Sequence, residues 1–343
     1  WATVNMIGVG NSNISRVGDK SLTFLLIYAT KPIYSMNDTT EKTWTILELI
    51  NWGKGFFEAK GVDSPRLTIE LMLAHTLTMP RIQLYTAFDR PLSATELAAM
   101  RGMVRRRTQR EPLQYILGEA HFYDIVLEIS PNVLIPRPET ETLVEYAIKT
   151  IREKFNLEKH IPEKPSNPDS AFHILDIGTG SGCIALSLAK AFPSAHVQAL
   201  DLSESAVTLA RKNAHRLELE NITITQADIF SHNTLEALPI SVFDVIVSNP
   251  PYIPSAEIAE LQAEVRDYEP HTALTDAGDG LSFYRHFAEL FPKILAPNGF
   301  FAVEIGFGQS AEVVRLFQQS GFTTQLHNDL AGIPRVCAGW RAV

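Results

Sequence analysis

The stretch that decides the fold is His-Ile-Leu-Asp-Ile-Gly-Thr-Gly-Ser-Gly, residues 173–182, which runs into the helix-forming segment 183–189. A β-rich run that leads into closely spaced glycines and then into a helix is typical of the first strand and ligand-binding turn of an open α/β sheet. Glycines let the backbone turn tightly and approach a bound molecule, because they carry no Cβ. A simple strand-to-helix bend would show the same pattern, so the surrounding sequence must decide between the two.

The sequence after this stretch alternates between short β-rich runs and helical segments. The β-rich runs lie at 196–200, 222–224, 243–247 and 300–304, and helical patterns separate most of them. This alternation predicts a mostly parallel, doubly wound sheet, because each helix carries the chain back to start the next parallel strand. The fold class is therefore α/β.

The sequence before the stretch predicts a smaller, all-helical region. Apolar residues recur at helical spacing over residues 44–118. Ser64 and Ser93 are the expected N-caps of two of its helices, and Pro65 is expected at a first helical position.

A β-hairpin is predicted to join the two regions. Strand-like runs lie at 123–129 and 133–135, on either side of a turn signal at 130–132. A helix from about Thr142 to Phe155 is expected next. A polar linker then leads into the sheet.

The chain is therefore expected to consist of four segments. The first is set apart because the chain opens with Trp1, whereas Met36 and the polar run after it look like a more natural start. The segments are an N-terminal extension outside the fold at 1–35, the helical domain at 36–118, the hairpin linker at 119–135 and the sheet domain at 136–343.

Composition excludes several classes of protein. With 45% hydrophobic residues the 343-residue chain can bury a core, and its net charge of −9 disfavours coating of nucleic acid, which relies on Lys and Arg. Its 2 cysteines lack metal-ligand spacing, which points to a reducing cytosolic compartment and a metal-free protein. The longest apolar run before Met36, at 22–29, is far shorter than the ~20 residues of a membrane helix.

Residues at the ends of two further strands describe an adenosine site. Asp201 ends the second strand, 23 residues after Gly178, where a carboxylate can accept hydrogen bonds from ribose hydroxyls. Asp228 and Ile229 end the third strand. There Asp228 could accept a hydrogen bond from an exocyclic amine, and Ile229 could pack on a purine ring.

The glycine spacing favours a methyl donor over a dinucleotide. Dinucleotide sites usually show G-x-G-x-x-G with a pyrophosphate at the helix N-terminus, whereas Gly178, Gly180 and Gly182 follow G-x-G-x-G. Asp176, just before them, would repel a pyrophosphate. It suits a ligand that carries an ammonium group, such as the methionine end of S-adenosylmethionine.

The fourth strand ends in Asn-Pro-Pro-Tyr, residues 249–252, which can clamp a planar amine. Two prolines remove two amide donors, so the loop presents carbonyl oxygens. The Asn249 side-chain oxygen and the Pro250 carbonyl could accept both N–H bonds of an –NH2 group, while Tyr252 covers its face. An amide nitrogen attacks poorly because its lone pair is delocalised, and such a clamp favours its pyramidal transition state. The alternative is a rigid turn that only ends the strand.

With these motifs, the chain from about Thr43 to its C-terminus resembles the HemK/PrmC family of protein-(glutamine-N5) methyltransferases. Asn-Pro-Pro-Tyr alone is not specific, because amino-methylating DNA and RNA enzymes use similar loops. Other matching segments are more specific, and they are Arg110–Gly118, Ile135–Glu141, Glu269–Leu274, Gly280–Arg285 and Glu304–Gln309.

The resemblance implies a Rossmann-like, S-adenosylmethionine-dependent methyltransferase fold with a substrate-binding helical domain. It implies methylation of the glutamine side-chain amide (N5) in the Gly-Gly-Gln motif of class 1 peptide chain release factors. These factors are the expected partners, with no stable nucleic acid and no membrane. The expected compartment is the bacterial cytosol, with an organelle as the alternative.

The residues expected to act fall into two sets. The substrate is expected to bind Asn249, Pro250, Pro251 and Tyr252, of which all but Pro251 are also expected to be catalytic. The cofactor is expected to bind Asp176, Gly178, Thr179, Gly180, Ser181, Gly182, Asp201, Asp228, Ile229 and Asn249. No metal site is expected.

Two other functions stay open from the residues. One is a nucleic-acid amino-methyltransferase acting on adenine N6 or guanine N2, which an arginine-rich run at 101–110 favours unless that run is a solvated helix face. The other is a non-catalytic protein that binds S-adenosylmethionine. Arg137 and Glu139 are expected either to shape the substrate entrance or to form a local ion pair.

Overall fold

In the described part of the chain, five helices precede the hairpin. The computed structural model describes residues 43–155, 172–231, 234 and 242–341, so the extension expected at 1–35 lies outside it. The helices are α1 (Ile46–Ala59), α2 (Pro65–Leu77), α3 (Arg81–Leu84), α4 (Ala94–Thr108) and α5 (Leu113–Leu117). They enclose a core of their own, in which Phe57, Ile69 and Leu73 are fully buried. Full burial of side chains of this size contributes about 1.5–3 kcal/mol each.

The N-termini of α2 and α4 differ in their capping. Ser93 caps α4 with a capping box, in which its hydroxyl accepts from the Glu96 amide and the Glu96 carboxylate accepts from the Ser93 amide. Pro65 begins α2 as predicted. Ser64 occupies the expected N-cap position of α2, but it adopts a left-handed φ of 47° and its side chain makes no capping hydrogen bond.

The hairpin lies earlier in the chain than predicted. Strands β1 (Glu119–Phe122) and β2 (Ile125–Glu128) pair antiparallel, and the turn between them is Tyr123-Asp124 rather than 130–132. Tyr123 adopts a φ of 51°, and its amide donates to the Glu141 carboxylate at 2.9 Å. A contact from a distant helix therefore stabilises a turn that carries no glycine, proline or asparagine signal.

The helix after the hairpin, α6 (Pro138–Phe155), begins before the predicted start at Thr142. Pro138 is suited to a first helical position, and Glu139 and Glu141 lie in the first turn, where the helix dipole favours negative charge. Thr140 is thereby placed inside the helix, with a side chain that is only 1% exposed.

Seven strands form the central sheet, in the order β5-β4-β3-β6-β7-β9-β8. The first five in that order are parallel, and β9 is antiparallel to β7 and to β8. The strands are β3 (Phe172–Ile177), β4 (Ala195–Asp201), β5 (Ile222–Gln226), β6 (Phe243–Ser248), β7 (Leu295–Glu304), β8 (Phe322–Asn328) and β9 (Pro334–Arg341). The predicted mostly parallel, doubly wound α/β fold is confirmed; the single reversed strand, β9, which lies between β7 and β8, was not anticipated.

Helices cover both faces of the sheet. Among the described residues, the helices after α6 are α7 (Cys183–Ala191), α8 (Glu204–Arg216), α9 (Ala263–Arg266), α10 (His271–Leu274), α11 (Ser282–Ile294) and α12 (Ser310–Gln319). A short 3-10 helix spans Ser255–Glu260. Side chains alternate along β3, so Ile174 packs with α6 to α8 while Leu175 and Ile177 pack with α11 and α12.

Candidate active site

The carboxyl edge of the sheet brings the two predicted loops together. In the register of the parallel strands, Ile177 of β3 lies opposite Ser248 of β6, and the Ser248 hydroxyl donates to the Ile177 carbonyl at 2.7 Å. The glycine loop therefore leaves the sheet directly beside Asn249. Ligands of open α/β sheets bind at this edge.

The glycine loop is shaped by backbone conformation and by contacts to β4. Gly178, Gly180 and Gly182 have φ values of 76°, 57° and 88°, which disfavour residues with a Cβ. The amides of Gly178 and Thr179 donate to the Leu200 carbonyl at 2.8 and 2.9 Å. The loop is therefore held open beside the end of β4.

Asp176 lies under this loop as a fully buried carboxylate. Its Oδ2 accepts a hydrogen bond from the Thr179 hydroxyl at 2.8 Å, while Oδ1 has no hydrogen-bond partner among the described residues. Burial raises the pKa of Asp176 to about 7, against the lowering effects of hydrogen bonds from the Thr179 hydroxyl and the Ala185 amide. A buried carboxylate oxygen without a partner is matched to a cationic ligand group.

The side chains expected around a ribose and a purine follow β4 and β5. Asp201 accepts from the Gly180 amide through Oδ2 and from the Ser203 amide through Oδ1, both at 2.8 Å, and each oxygen keeps a second lone pair. Burial raises the pKa of Asp201. Asp228 is exposed, and its Oδ1 accepts from the Phe230 amide at 2.9 Å.

The apolar residues beside Asp228 divide between the core and the surface. Ile229 is 8% exposed and packs in the core, so little of its side chain can face a ligand. Phe230 is 43% exposed, and its ring lies against His286 with centroids 4.6 Å apart. Sequence reasoning passed over Phe230, although an aromatic ring next to the acidic residue was the signal that could have found it.

The Asn-Pro-Pro-Tyr loop is attached to the rest of the sheet edge through hydrogen bonds. Asn249 Nδ2 donates to the Thr140 hydroxyl at 3.0 Å, and that hydroxyl donates to Glu304 Oε2 at 2.6 Å. The Tyr252 hydroxyl donates to Glu304 Oε1 at 3.1 Å. Glu304 ends β7, the strand next to β6. Thr140 and Glu304 lie in segments that carry the family resemblance, but no role was expected of them.

Glu304 is a second buried carboxylate at this edge, only 1% exposed. Burial raises its pKa to about 7, while hydrogen bonds from Thr140 and Tyr252 and the charge of Arg335 lower it. Burial and the neighbouring Glu304 raise the pKa of Tyr252 far above its ordinary value. Tyr252 is therefore a neutral hydrogen-bond donor, not a base.

Two further residues shape the backbone of the loop. Gln309 Nε2 donates to the Tyr252 carbonyl at 2.8 Å, and its Oε1 accepts from the Gly306 amide at 2.9 Å. A Cβ on Gly280, whose φ is 78°, would lie 2.2 Å from the Tyr252 carbonyl oxygen. Glycine is therefore required at this close approach.

Arg137 forms an ion pair, but its partner is distant in the sequence. Its guanidinium donates to Glu269 Oε1 at 2.6 Å, and Glu269 Oε2 accepts from the Ile135 amide at 3.3 Å. The partner of Arg137 is thus the buried Glu269, not Glu139. This pair connects the linker before α6 to the segment that follows the Asn-Pro-Pro-Tyr loop.

The arginine-rich run is only partly a solvated face. Arg101 and Arg105 are exposed, as that interpretation requires. Arg107 and Arg110 both pair with Glu264, at 3.1 and 3.2 Å. The paired arginines of the run therefore connect the helical region to the segment after the loop.

Comparison with known proteins identifies the family. A model described as the PrmC N-terminal domain matches residues 48–118, and a methyltransferase-domain model matches residues 168–320. A release factor glutamine methyltransferase from Geobacter sulfurreducens is 42% identical over 306 residues, which cover 88% of this chain and 99% of the relative. The chain belongs to the release factor glutamine methyltransferase family.

Other members of the release factor glutamine methyltransferase family match over nearly their full lengths. The enzyme from Chlorobaculum tepidum is 42% identical over 86% of this chain and 97% of its own. The one from Rhodopirellula baltica is 37% identical over 90% of this chain and 100% of its own. The resemblance stated from the motifs is confirmed.

Two kinds of site are absent from the described residues. No group of three or more His, Cys, Asp or Glu side chains there could hold a metal ion. In the same residues, no helix is both long enough and apolar enough to cross a membrane.

Proposed function

We propose that the protein transfers the methyl group of S-adenosylmethionine to the side-chain amide nitrogen, N5, of the glutamine in the Gly-Gly-Gln motif of class 1 peptide chain release factors. The observation that carries this proposal is the adjacency of the two loops on β3 and β6. An amide held by the Asn-Pro-Pro-Tyr loop would lie beside a methyl donor held by the glycine loop. The names of the relatives support the substrate.

The residues of the donor site fit S-adenosylmethionine. Asp176 Oδ1 is a buried acceptor without a partner and would pair with the ammonium group. Asp201 would accept from the ribose hydroxyls and Asp228 from the exocyclic amine of the adenine. We add the exposed ring of Phe230 as the side chain that would contact the adenine. When bound, the cofactor supplies an electrophilic methyl group on a sulfonium sulfur.

The contribution of the loop is to hold the acceptor nitrogen. Asn249 Oδ1 and the Pro250 carbonyl would accept its two N–H bonds, which frees the nitrogen lone pair and stabilises its developing positive charge. With the donor bound, transfer of the methyl group to the nitrogen held by Asn249 and Pro250 would leave the electron pair of the S–C bond on sulfur, and the nitrogen would then release a proton to water. Positioning of this kind can supply about 7–11 kcal/mol.

We also propose that the protein acts in the bacterial cytosol on a protein partner, without stable binding to nucleic acid or membranes. The net charge of −9 supports the absence of stable nucleic-acid binding, because such binding relies on an excess of Lys and Arg. The pairing of Arg106, Arg107 and Arg110 with carboxylates supports it further, since phosphate contacts would have to compete with those pairs.

The test is incubation with methyl-labelled S-adenosylmethionine and, in separate reactions, an unmethylated release factor, bulk RNA and bulk DNA. We expect label only in the release factor, located by mass spectrometry on the Gly-Gly-Gln glutamine. Label in nucleic acid alone would establish the amino-methyltransferase alternative, and label in no acceptor would favour a non-catalytic protein.

The variant Asn249→Ala tests the clamp. We expect turnover to fall by about 100-fold or more, because the orientation of the acceptor nitrogen is lost. The dissociation constant of the donor, measured by calorimetry, should stay within about threefold of the wild-type value. Near-normal turnover would remove Asn249 from the mechanism.

A further inference from the structure

The Asn249 side chain can serve the clamp in only one of its two orientations. Its amide carries an acceptor, Oδ1, at one end and two donors, on Nδ2, at the other. Rotation by 180° about the last side-chain bond would turn Nδ2 towards the substrate amide, so that N–H groups would face N–H groups. Catalysis by the clamp therefore requires a neighbour that selects the orientation.

Thr140 and Glu304 occupy the place of such a neighbour. The chain of hydrogen bonds runs from Asn249 Nδ2 to Thr140 Oγ1 at 3.0 Å and from Thr140 Oγ1 to Glu304 Oε2 at 2.6 Å. The side chains of Thr140 and Glu304 are each 1% exposed, so water competes little for these bonds. No described residue donates a hydrogen bond to Asn249 Oδ1.

The direction of each bond follows from the number of hydrogens. In its ionised form Glu304 only accepts, so the single hydroxyl hydrogen of Thr140 is then committed to Glu304. The Thr140 oxygen can then only accept, which selects Nδ2 of Asn249 over Oδ1. We propose that Glu304 and Thr140 are positioning residues that set the orientation of the Asn249 amide and so present its oxygen to the substrate, a role that rests on the proposed function.

Glu304 also connects the two ends of the loop. Its Oε1 accepts from Tyr252, so one carboxylate holds both Asn249, through Thr140, and the tyrosine that follows the prolines. Its backbone carbonyl accepts from the Tyr284 hydroxyl at 2.8 Å, which fixes the end of β7 against α11. The carboxylate is thus itself placed by the sheet rather than by a mobile loop.

The experiment is a double-variant cycle on the full chain with Thr140→Val and Asn249→Ala. Valine keeps the shape of threonine but removes the hydroxyl, so we expect kcat to fall about 10- to 100-fold while the dissociation constant of the donor stays within about twofold. If Thr140 acts through Asn249, the double variant should be no slower than Asn249→Ala alone. Thr140→Ser, which restores the hydroxyl, should recover kcat to within about threefold of wild type.

Thr68→Val is the matched control, because Thr68 is also a buried threonine whose hydroxyl makes one hydrogen bond, to the Asp63 carbonyl. It should leave kcat unchanged. If Thr140→Val does not fold, Thr140→Ala takes its place in the cycle. Unchanged kcat in the Thr140 variant, or losses that multiply in the double variant, would overturn the inference. Failure of the proposed function is distinct, since wild-type protein would then label no release factor.

Discussion

Asp176 and Glu304 are buried carboxylates whose pKa values burial raises to about 7. The two carboxylates differ in their hydrogen-bond partners. Asp176 has an oxygen without a partner below the glycine loop, whereas both oxygens of Glu304 are occupied by hydroxyls of the chain itself. These contacts support the proposals that Asp176 binds the donor and that Glu304 orients other side chains.

Donor binding should depend on pH through Asp176. The ammonium of the donor stabilises the carboxylate, so binding must displace a proton wherever Asp176 is protonated, below about pH 7. We expect the affinity for S-adenosylmethionine to be level above pH 7 and to fall below it, by up to about tenfold per pH unit. Calorimetric titrations between pH 5.5 and 8.5, chosen as roughly symmetric about the pKa, would measure this slope.

Adenosine is the control ligand, because it lacks the ammonium group and should bind without that slope. Asp176→Asn should weaken donor binding at pH 8 and abolish the slope. In donor-free protein the same variant should raise the Tm at pH 8. At low pH the wild-type carboxyl is protonated, and burying the neutral group costs little. Because its pKa is raised in the folded protein, its stabilising contribution is lost as the pH rises through about 7. The difference in Tm between the variant and the wild type should therefore narrow on acidification. Equal donor affinity at pH 6 and pH 8 would contradict the assignment.

At the scale of elements, the loop after β6 owes its shape to segments distant in the sequence. Ile253 donates through its amide to the Leu274 carbonyl at the end of α10, and Gln309 holds the Tyr252 carbonyl from the turn before α12. Gly280 packs directly beneath that carbonyl. Three elements that follow the loop in the chain therefore fix it in space.

Gly280→Ala should disrupt the loop. The added Cβ would lie 2.2 Å from the Tyr252 carbonyl oxygen, so that carbonyl must move and with it the clamp. We expect turnover to fall by about 100-fold, with weaker binding of the release factor, as steady-state kinetics would show.

Gly321→Ala separates this clash from backbone strain. Gly321 has a similar φ of 84°, but its Cβ would meet nothing within 4 Å. The control should lose about 1–2 kcal/mol of unfolding free energy and keep its turnover. If both variants behave alike, the close approach at Gly280 is not what shapes the loop.

At the scale of the whole molecule, buried polar pairs connect the helical region, the hairpin and the sheet. Asn213 of α8 is fully buried; its Nδ2 donates to the carbonyls of Ser181 in the glycine loop and Glu128 in the hairpin. Glu264 accepts from Arg107 and Arg110 of the helical region. The region expected to bind substrate is thereby connected to the chain that leaves the active-site loop.

Glu264→Ala should destabilise the protein as a whole. It leaves Arg107, whose side chain is 8% exposed, buried without a carboxylate, at a cost on the order of 2 kcal/mol or more. Thermal unfolding should show a Tm lower by several degrees. Glu312→Ala, which removes an exposed pair with Arg315, should change the unfolding free energy by at most about 0.5 kcal/mol. Equal effects of the two variants would mean that the buried pair contributes no more than an exposed one.

Local patterns were enough for the elements with strong local signals. The apolar runs of β3 to β7 and the capping box of α4 were predictable, because alternation of burial and N-cap chemistry act over a few residues. The hairpin turn at Tyr123 and the start of α6 at Pro138 were misplaced. Tyr123 is held by Glu141, and this contact joins residues that no local pattern relates.

The sequence by itself determined the α/β fold, the order of its loops and the family, since the glycine turn and the Asn-Pro-Pro-Tyr loop each follow an apolar strand. Only the tertiary structure decided which groups support those loops. Parallel strands and their helices bring segments from distant positions in the sequence to one edge of the sheet. The Asn-Pro-Pro-Tyr loop is therefore supported there by Thr140, Glu304, Gly280 and Gln309. The burial of these residues and the direction of their hydrogen bonds depend on this tertiary contact. The orientation of the Asn249 amide, on which the proposed chemistry relies, depends on it as well.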